Sequence, residues 1–373
     1  MSRQNESAPL PTSSLDQLPI IFGDSRPRTV ESLRGNQWLT AGIWRIDFGS
    51  RSVILKHVEA DGTGPLSDWD AHWTRHNKRP AHWNYWMREA LAYQSDIVTR
   101  FRECGMSTPG LIHVEIGTNY SDLWIEDCTT PPAATWGIAD YAESAQILGY
   151  VQGRYLSDFG LPDHPWLCRN YLHEYSAEKP FDLTSVFDDA HWHLPLMRSN
   201  FSPRLRDRLR KMVMNTDRLR TLSASVPETL CHNDFWTRNL FGGGCHPCTL
   251  IDWAFVGRGP IGADIGNMIP SAVFDGFLPA DCLPVLATTL LDAYLEGLMS
   301  GGWVGDEEHV RIGFWSSAVK YSWLVPAMLY SAAQENNPVY VGYGGIEPAR
   351  HFSDVAMTLD LLAGWTESAL RLG

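Results

Sequence analysis

The stretch that most constrains the fold is residues 229–252, where short apolar runs alternate with polar loops. The runs lie at 229–231, 239–241 and 248–251, and a run of three glycines, 242–244, separates the last two. Apolar runs of this length bounded by turn signals predict short strands. We therefore predict a small hairpin region whose polar residues lie on loops between strands.

Three polar residues of this region suit phosphate chemistry: Asp234, Asn239 five residues later, and Asp252 after the last apolar run. Phosphoryl transfer needs a positioned acceptor hydroxyl, magnesium on the phosphate oxygens and a cation near the phosphates. Magnesium prefers oxygen ligands, which a carboxylate and an amide oxygen provide. We predict that Asp234 orients or deprotonates a hydroxyl and that Asn239 and Asp252 bind Mg²⁺.

The first third of the chain is rich in predicted strands, at 29–33, 41–48, 52–58, 111–115 and 123–127. An amphipathic helix is predicted at 82–103, between the third and fourth strands. Lys56, in the third strand, is one of only five lysines in the chain, and Glu89 lies in the helix. We predict that Lys56 binds phosphates and that Glu89 holds it by an ion pair.

Each of these residues also has an ordinary structural reading. Lys56 could be a strand-edge lysine that blocks pairing, and Glu89 a solvated helix residue. His232 could bind loop backbone, and Asp252 could cap a turn. The combination of all of them in one chain order favours the phosphate-transfer site.

The rest of the chain is predicted to be mainly helical, with a loop at 334–348. Helices are predicted at 138–156, 167–175, 202–224, 283–299, 307–331 and 352–372. The fold class is therefore α+β with two lobes. We predict a flexible tail at 1–20, a nucleotide-binding lobe at 21–128, and a larger lobe at 129–373 that carries the catalytic loop and the acceptor site.

Composition restricts the partners and the compartment. The net charge of −13 argues against nucleic acid or an anionic membrane as a partner, and no run of about 18 apolar residues is present to span a bilayer. Seven unevenly spaced cysteines are not a secreted disulfide framework, and we read the Cys-x-x-Cys at 245–248 as a turn. We expect a cytoplasmic monomer or homodimer.

Residues 232–241 (HNDFWTRNLF), 251–253 (IDW) and 257–264 (GRGPIGAD) resemble the signature of the aminoglycoside phosphotransferase and choline kinase superfamily. The likeness extends over about residues 28–330: 123–127 resembles the hinge strand, and 145–151 the helix beneath the catalytic loop. The resemblance implies a two-lobe protein-kinase-like fold. Its N-terminal lobe is a small antiparallel β-sheet with one helix, and its C-terminal lobe is larger and mainly helical.

The resemblance also implies a role for each matching residue. Asp234 is the catalytic base or hydroxyl-orienting residue. ATP or GTP is the co-substrate and Mg²⁺ the metal. The other roles are Asn239 and Asp252 as metal ligands, Lys56 with Glu89 at the phosphates, backbone near Glu126 and Cys128 at adenine, and His232 and Asp264 as structural support.

The chain departs from the family pattern at three places. Ala254 stands where many relatives have an acid directly after Asp-Trp, and the loop at 34–38 is not glycine-rich. A phosphate-binding role for that loop is left open. The tryptophan-containing insertion at 60–80 is either a lid over the acceptor or a surface flap.

The predicted activity is ATP-dependent O-phosphorylation of a small molecule. The first candidate acceptor is an aminoglycoside- or nucleoside-like antibiotic, which would make the protein an inactivating resistance enzyme. Aromatic residues at 303–330, among them Trp315, Tyr321 and Trp323, leave room for an aromatic or sugar-bearing acceptor, although aromatic stripes in helices are usually core. The acids at 306–308 precede this segment.

Two alternatives stay open. One is a metabolite kinase for choline, ethanolamine, a sugar or a hydroxy-amino acid. The other is a catalytically silent nucleotide-binding regulator, against which the intact set of Asp234, Asn239 and Asp252 speaks.

Overall fold

The computed structural model describes residues 9–23, 25–34, 40–61, 75–128, 132–133, 136–244, 246–334 and 347–373. Most of the loop at 34–38, most of the insertion at 60–80, Cys245 and most of the loop at 334–348 lie outside the described residues.

A five-stranded antiparallel sheet forms the N-terminal part and confirms the predicted strands. The strands are β1 (Thr29–Arg34), β2 (Thr40–Asp47), β3 (Ser52–Glu59), β4 (Leu111–Ile116) and β5 (Tyr120–Glu126), in the order β1-β2-β3-β5-β4. A tight turn joins β2 to β3, and there Gly49 has φ 87°, which other residues rarely adopt. Pairing of Lys56 with Leu123 places the lysine in the interior of the sheet, so it is not an edge residue.

A helix that the sequence did not predict, α1 (Thr12–Phe22), packs beside this sheet. Ser14 and Gln17 are buried and donate hydrogen bonds of 2.8 and 2.7 Å to the carboxylate of Asp122, which is fully buried in β5. A buried carboxylate needs such donors, so these contacts fix the helix in place. The prediction of a flexible tail at 1–20 is therefore wrong for residues 12–20.

The predicted helix at 82–103 is divided into α2 (Arg88–Gln94) and α3 (Ile97–Glu103). Ser95 separates them in an extended conformation, and its hydroxyl donates to Ala92 O and accepts from the N–H of Ile97. Serine competes in this way with the helical backbone bonds, which explains the break. Residues 82–87 form turns before α2.

The remainder of the chain is mainly helical, as predicted. Its helices are α4 (Ile138–Arg154), α5 (Tyr171–Ala177), α6 (Asp189–Trp192), α7 (Pro195–Asn200), α8 (Pro203–Met214), α9 (Thr216–Ser225), α10 (Ala263–Phe274), α11 (Leu283–Ser300), α12 (Glu307–Ser316), α13 (Leu324–Ala332) and α14 (Pro348–Leu372). The predicted helix at 202–224 is divided at Asn215, and the one at 307–331 contains a 3₁₀ turn, Ser317–Tyr321.

Helices α4 and α11 pack closely against each other in the core. A Cβ added at Gly149 would lie 2.2 Å from the carbonyl oxygen of Tyr294, and one at Gly297 would lie 2.0 Å from that of Gln146. Residues 280–300 are the one stretch of the described helices that is long and apolar enough to cross a membrane. The close packing of α11 against α4 gives that apolar surface a partner within the protein.

Candidate active site

The three apolar runs at 229–231, 239–241 and 248–251 form β6 (Glu228–Cys231), β7 (Leu240–Gly243) and β8 (His246–Leu250). A further strand, β9 (Gly257–Pro260), pairs with β6, while β7 pairs with β8. The loops at 232–239 and 251–256 are thereby held side by side, and the N–H of Ile251 donates to Asn239 O at 2.9 Å.

Asp264, at the start of α10, anchors the first of these loops. Its carboxylate accepts from the N–H groups of His232 and Asn233 at 2.8 and 2.7 Å and from the amide nitrogen of Gln152 at 2.9 Å. Burial lowers the pKa of His232 to about 4, so the ring is neutral and its Nε2–H donates to Ile251 O at 3.1 Å. His232 and Asp264 thus join the loops at 232–239 and 251–256 through hydrogen bonds to backbone, and their role as structural support stays a prediction.

Asp234 and Asn239 are joined directly. The amide nitrogen of Asn239 donates to the Asp234 carboxylate at 2.8 Å and to the Asp234 carbonyl oxygen at 2.9 Å. The amide is planar, so this orientation places its oxygen on the opposite side, as a metal ligand requires. Burial raises the pKa of Asp234 to about 6, the charge of Asp252 adds to the rise, and Lys320 opposes it.

Lys56, Glu89 and Asp252 form one ion-pair cluster. The Lys56 ammonium lies 2.5 Å from the Glu89 carboxylate and 2.9 Å from that of Asp252. The predicted ion pair between Lys56 and Glu89 is therefore present. Burial alone would lower the pKa of Lys56, but the two carboxylates outweigh it, so that pKa is raised and the lysine is charged.

The backbone of Asp252 has φ 64° and ψ 73°, in the left-handed region that non-glycine residues rarely adopt. Such strain persists only where the surroundings enforce it. Here the next residue, Trp253, is fully buried and lies edge-on to the rings of Phe101 and His232 at 4.8 and 4.9 Å between centroids. The buried indole of Trp253 fixes the backbone at the start of the loop 251–256. The Asp252 carboxylate there is about 30% exposed.

Arg88 connects the start of α2 to the segment that follows Asp252, and the sequence did not predict this role. Its guanidinium is fully buried, and its hydrogen bonds within the described residues go to backbone carbonyls, among them Trp166 O at 2.8 Å, Trp83 O at 2.7 Å and Ala254 O at 2.9 Å. It therefore ties the start of α2, which carries Glu89, to the segment that follows Asp252. Arginine is usually exposed, so the sequence contains no signal for this role.

A cavity of about 500 Å³ brings most of the predicted site residues together. Lys56, Glu89, Glu126, Cys128, Asp234, Asn239 and Asp252 line it, whereas His232 and Asp264 do not. Apolar side chains from the sheet, including Ile54, Leu123 and Ile125, form one wall. The cavity thus has an apolar end at the sheet and a charged centre.

The structure shows which backbone groups of the predicted adenine contact at 126–128 are already hydrogen-bonded within the protein. The N–H of Glu126 donates to Gly110 O at 2.9 Å, and the Glu126 carboxylate accepts from Gly110 N at 2.8 Å. The N–H of Glu126 is therefore already used, and an adenine contact stays a prediction for the backbone beyond it, at Asp127 or Cys128. Burial raises the pKa of the Cys128 thiol to about 11, so it is not a thiolate at neutral pH.

Past Asp234 the cavity continues to a second end. It is lined there by Tyr175, Lys179, Asn267, Asp275, Lys320, Tyr321 and Trp323. Tyr321 and Trp323 belong to the aromatic segment noted in the sequence, whereas Trp315 and the acids at 306–308 do not line the cavity. Lys179 and Lys320 were missed, although the scarcity of lysine was a signal that could have found them.

Comparison with known proteins supports the resemblance. Residues 172–303 match the model of a family described as "Phosphotransferase enzyme family". Among curated proteins, no sequence matches significantly.

Solved structures share the fold. A spectinomycin phosphotransferase in complex with ADP and spectinomycin is 13% identical, with a TM-score of 0.54 over 96% of this chain and 99% of its own. An amicoumacin kinase in complex with AMP-PNP, Ca²⁺ and Ami is 12% identical, with a TM-score of 0.52 over 84% of this chain and 86% of its own. At these identities the likeness is one of fold, and it confirms the predicted two-lobe architecture.

The family match also confirms the prediction of a phosphotransferase that acts on an alcohol group. Over residues 172–303 the chain thus resembles this phosphotransferase family, and its fold is the two-lobe, protein-kinase-like fold that the resemblance implied.

Proposed function

We propose that this protein transfers the γ-phosphate of ATP or GTP to a hydroxyl group of a small antibiotic or metabolite. One observation carries the proposal. The Lys56–Glu89–Asp252 cluster and the Asp234–Asn239 pair come from separate elements of the chain and line the same cavity.

The residues present fit a magnesium ion. Asp252 offers a partly exposed carboxylate and Asn239 an amide oxygen, both of them hard ligands. Within the described part of the chain, no group of three or more His, Cys, Asp or Glu could hold a metal. A site with two protein ligands suits Mg²⁺, which keeps several waters and binds substrate phosphates. When bound, the ion would neutralise charge on the phosphates.

The protein's own groups have distinct tasks in the transfer. Lys56, held between two carboxylates, binds the phosphates. Asp234 accepts a hydrogen bond from the acceptor hydroxyl and takes its proton as the new oxygen–phosphorus bond forms and the bond to the nucleoside diphosphate breaks. Its raised pKa keeps it a usable base near neutral pH.

Antibiotics are the first candidates for the acceptor. The two structures described above hold spectinomycin and amicoumacin, which supports a role in antibiotic inactivation. A metabolite kinase is the second candidate, because the far end of the cavity contains two lysines that a polycationic antibiotic would not favour. The intact charged cluster is evidence against a catalytically silent regulator.

The test is a transfer assay with labelled ATP and magnesium against a panel of hydroxyl-bearing antibiotics and metabolites. We expect label to appear on at least one acceptor, and none without magnesium. Tight ATP binding with no transfer to any acceptor would favour the regulator instead.

A further inference from the structure

Two buried lysines lie at the far end of the cavity. Lys179 follows α5, and Lys320 lies in the 3₁₀ turn that precedes α13. Each is only 6% exposed, and both line the cavity beyond Asp234. Together with Lys56, the cavity therefore holds three of the five lysines of the chain.

The two ammonium groups lie against the same aromatic ring. The Nζ atoms of Lys179 and Lys320 are 4.1 and 4.9 Å from the centroid of Tyr175, so their separation cannot exceed the sum of these distances. A hydrogen bond of 2.6 Å between the hydroxyls of Ser176 and Ser322 joins the two segments that carry them. The lysines are thus held as a pair.

Further aromatic rings surround this pair. The ring of Trp323 lies 5.4 Å from Lys179 Nζ, and that of Tyr171 lies 5.0 Å from Lys320 Nζ. Trp323 also stacks on Phe181 at 5.9 Å. Cation–π contacts stabilise desolvated ammonium groups, and the flat rings provide an apolar surface beside them.

The carboxylates near these lysines do not restore an ordinary pKa. Burial lowers the pKa of Lys320 to about 8 against the opposing charges of Asp234, Asp264 and Asp275. Burial and then the charge of Lys320 lower the pKa of Lys179 well below its ordinary value, against Asp234 and Glu178. A negatively charged group that enters beside these lysines would favour the charged form of both.

We propose that the acceptor is an anionic hydroxyl compound whose carboxylate or phosphate group binds between Lys179 and Lys320. This inference rests on the proposed function. Its apolar or aromatic body packs on the rings of Tyr175 and Trp323, and its hydroxyl reaches Asp234. A polycationic acceptor would place its amines beside two ammonium groups in a poorly solvated site, where like charges repel strongly.

The test measures binding of matched small probes by calorimetry, with AMP-PNP and Mg²⁺ occupying the nucleotide end. The first probes are the anion para-(hydroxymethyl)benzoate and its neutral methyl ester. The other two are the cation para-(hydroxymethyl)benzylamine and a second anion, para-(hydroxymethyl)phenyl phosphate. The two anions show whether the site prefers a carboxylate or a phosphate. We expect the better anion to bind at least ~10-fold more tightly than the ester or the amine, since truncating a desolvated charge pair costs this much or more.

Three variants test whether the preference for the anionic probe depends on Lys179. In Lys179→Met the anion preference should disappear, whereas Lys179→Arg and the exposed control Lys211→Met should keep it. Equal binding of acid, ester and amine, or an undiminished preference in Lys179→Met, would overturn the anion site.

A binding and transfer assay with labelled ATP distinguishes a failure of this inference from a failure of the proposed function. If the anion preference depends on Lys179 but ATP neither binds nor donates phosphate, the anion site stands and the proposed function fails. If ATP binds and a neutral or cationic acceptor is phosphorylated without any anion preference, the proposed function stands and the anion site is wrong.

Discussion

The lysines at the two ends of the cavity have opposite surroundings. At the nucleotide end, Lys56 lies within 3 Å of two carboxylates, and its pKa is raised. At the far end, Lys179 and Lys320 lie against aromatic rings, and their pKa values are lowered. All three side chains are buried, so burial itself does not explain the difference.

The difference lies in the nearby charge. Glu89 and Asp252 already compensate Lys56, so that end holds a fixed cation that needs no ligand to remain charged. The charged form of Lys179 is disfavoured where it lies, so its protonation and its affinity for an anion are linked, whereas Lys320, with a pKa of about 8, is charged at neutral pH. Asp234 lies between the two ends and acts electrostatically on both Lys179 and Lys320.

The largest expected effect is that of removing this central carboxylate. Asp234→Ala should lower kcat by at least ~10²-fold, the low end for loss of a positioned base, with little change in nucleotide affinity. Transfer from labelled ATP and nucleotide titration would measure the two quantities. The control is Asp292→Ala, an exposed carboxylate on α11. Near-normal turnover in Asp234→Ala would remove Asp234 from the reaction.

The next effect concerns the metal at the nucleotide end. Asp252→Ala removes one of the two proposed magnesium ligands, so the increase in nucleotide affinity on adding Mg²⁺ should fall by ~10- to 100-fold. Calorimetric titration of ATP with and without Mg²⁺ measures this, and Asp292→Ala again serves as the control. An unchanged magnesium effect would place the metal elsewhere.

Replacing a lysine at each end tests the contrast directly. Lys56→Met leaves the buried carboxylate of Glu89 and the partly exposed one of Asp252 without their cation and should lower the free energy of unfolding by ~3 kcal/mol. Lys179→Met should cost much less, because the charged form of this lysine is already disfavoured where it lies. Urea unfolding of both variants provides the measurement. Equal losses of unfolding free energy in the two variants would show that the two lysines do not differ in charge compensation.

The smallest effect is a pH dependence at the far end. Lys320 has a pKa of about 8 in the folded protein, below its ordinary value of 10.5, so the unfolded chain binds more protons between these two values. The free energy of unfolding of the wild type, relative to Lys320→Met, should therefore rise with pH above 8 by about 1 kcal/mol per unit. Below pH 8 both states bind the proton and the difference should be flat. Urea unfolding at a series of pH values checks the sign, and a decrease would contradict it.

Sequence patterns predicted the strands of the N-terminal sheet well, and most of the residues predicted for the site line one cavity. Strands and the hairpin region have short apolar runs and turn glycines that can be read locally, and Asp234, Asn239 and Asp252 follow one another within 19 residues. The helix α1 was missed because its burial depends on Asp122, more than 100 residues away. The break at Ser95 was missed because a single serine outweighed the apolar periodicity.

The sequence by itself thus determined the kind of chemistry: the hairpin residues and their order indicate a phosphate-transfer site, and the family match agrees. Only the tertiary structure decided the character of the acceptor end. Lys179 and Lys320 are 141 positions apart in the sequence, and neither has a local pattern that marks it. They form a pair because α5 and the 3₁₀ turn pack around Tyr175, which buries two residues of a type that usually lies on the surface. The anion site that we propose there depends on this packing.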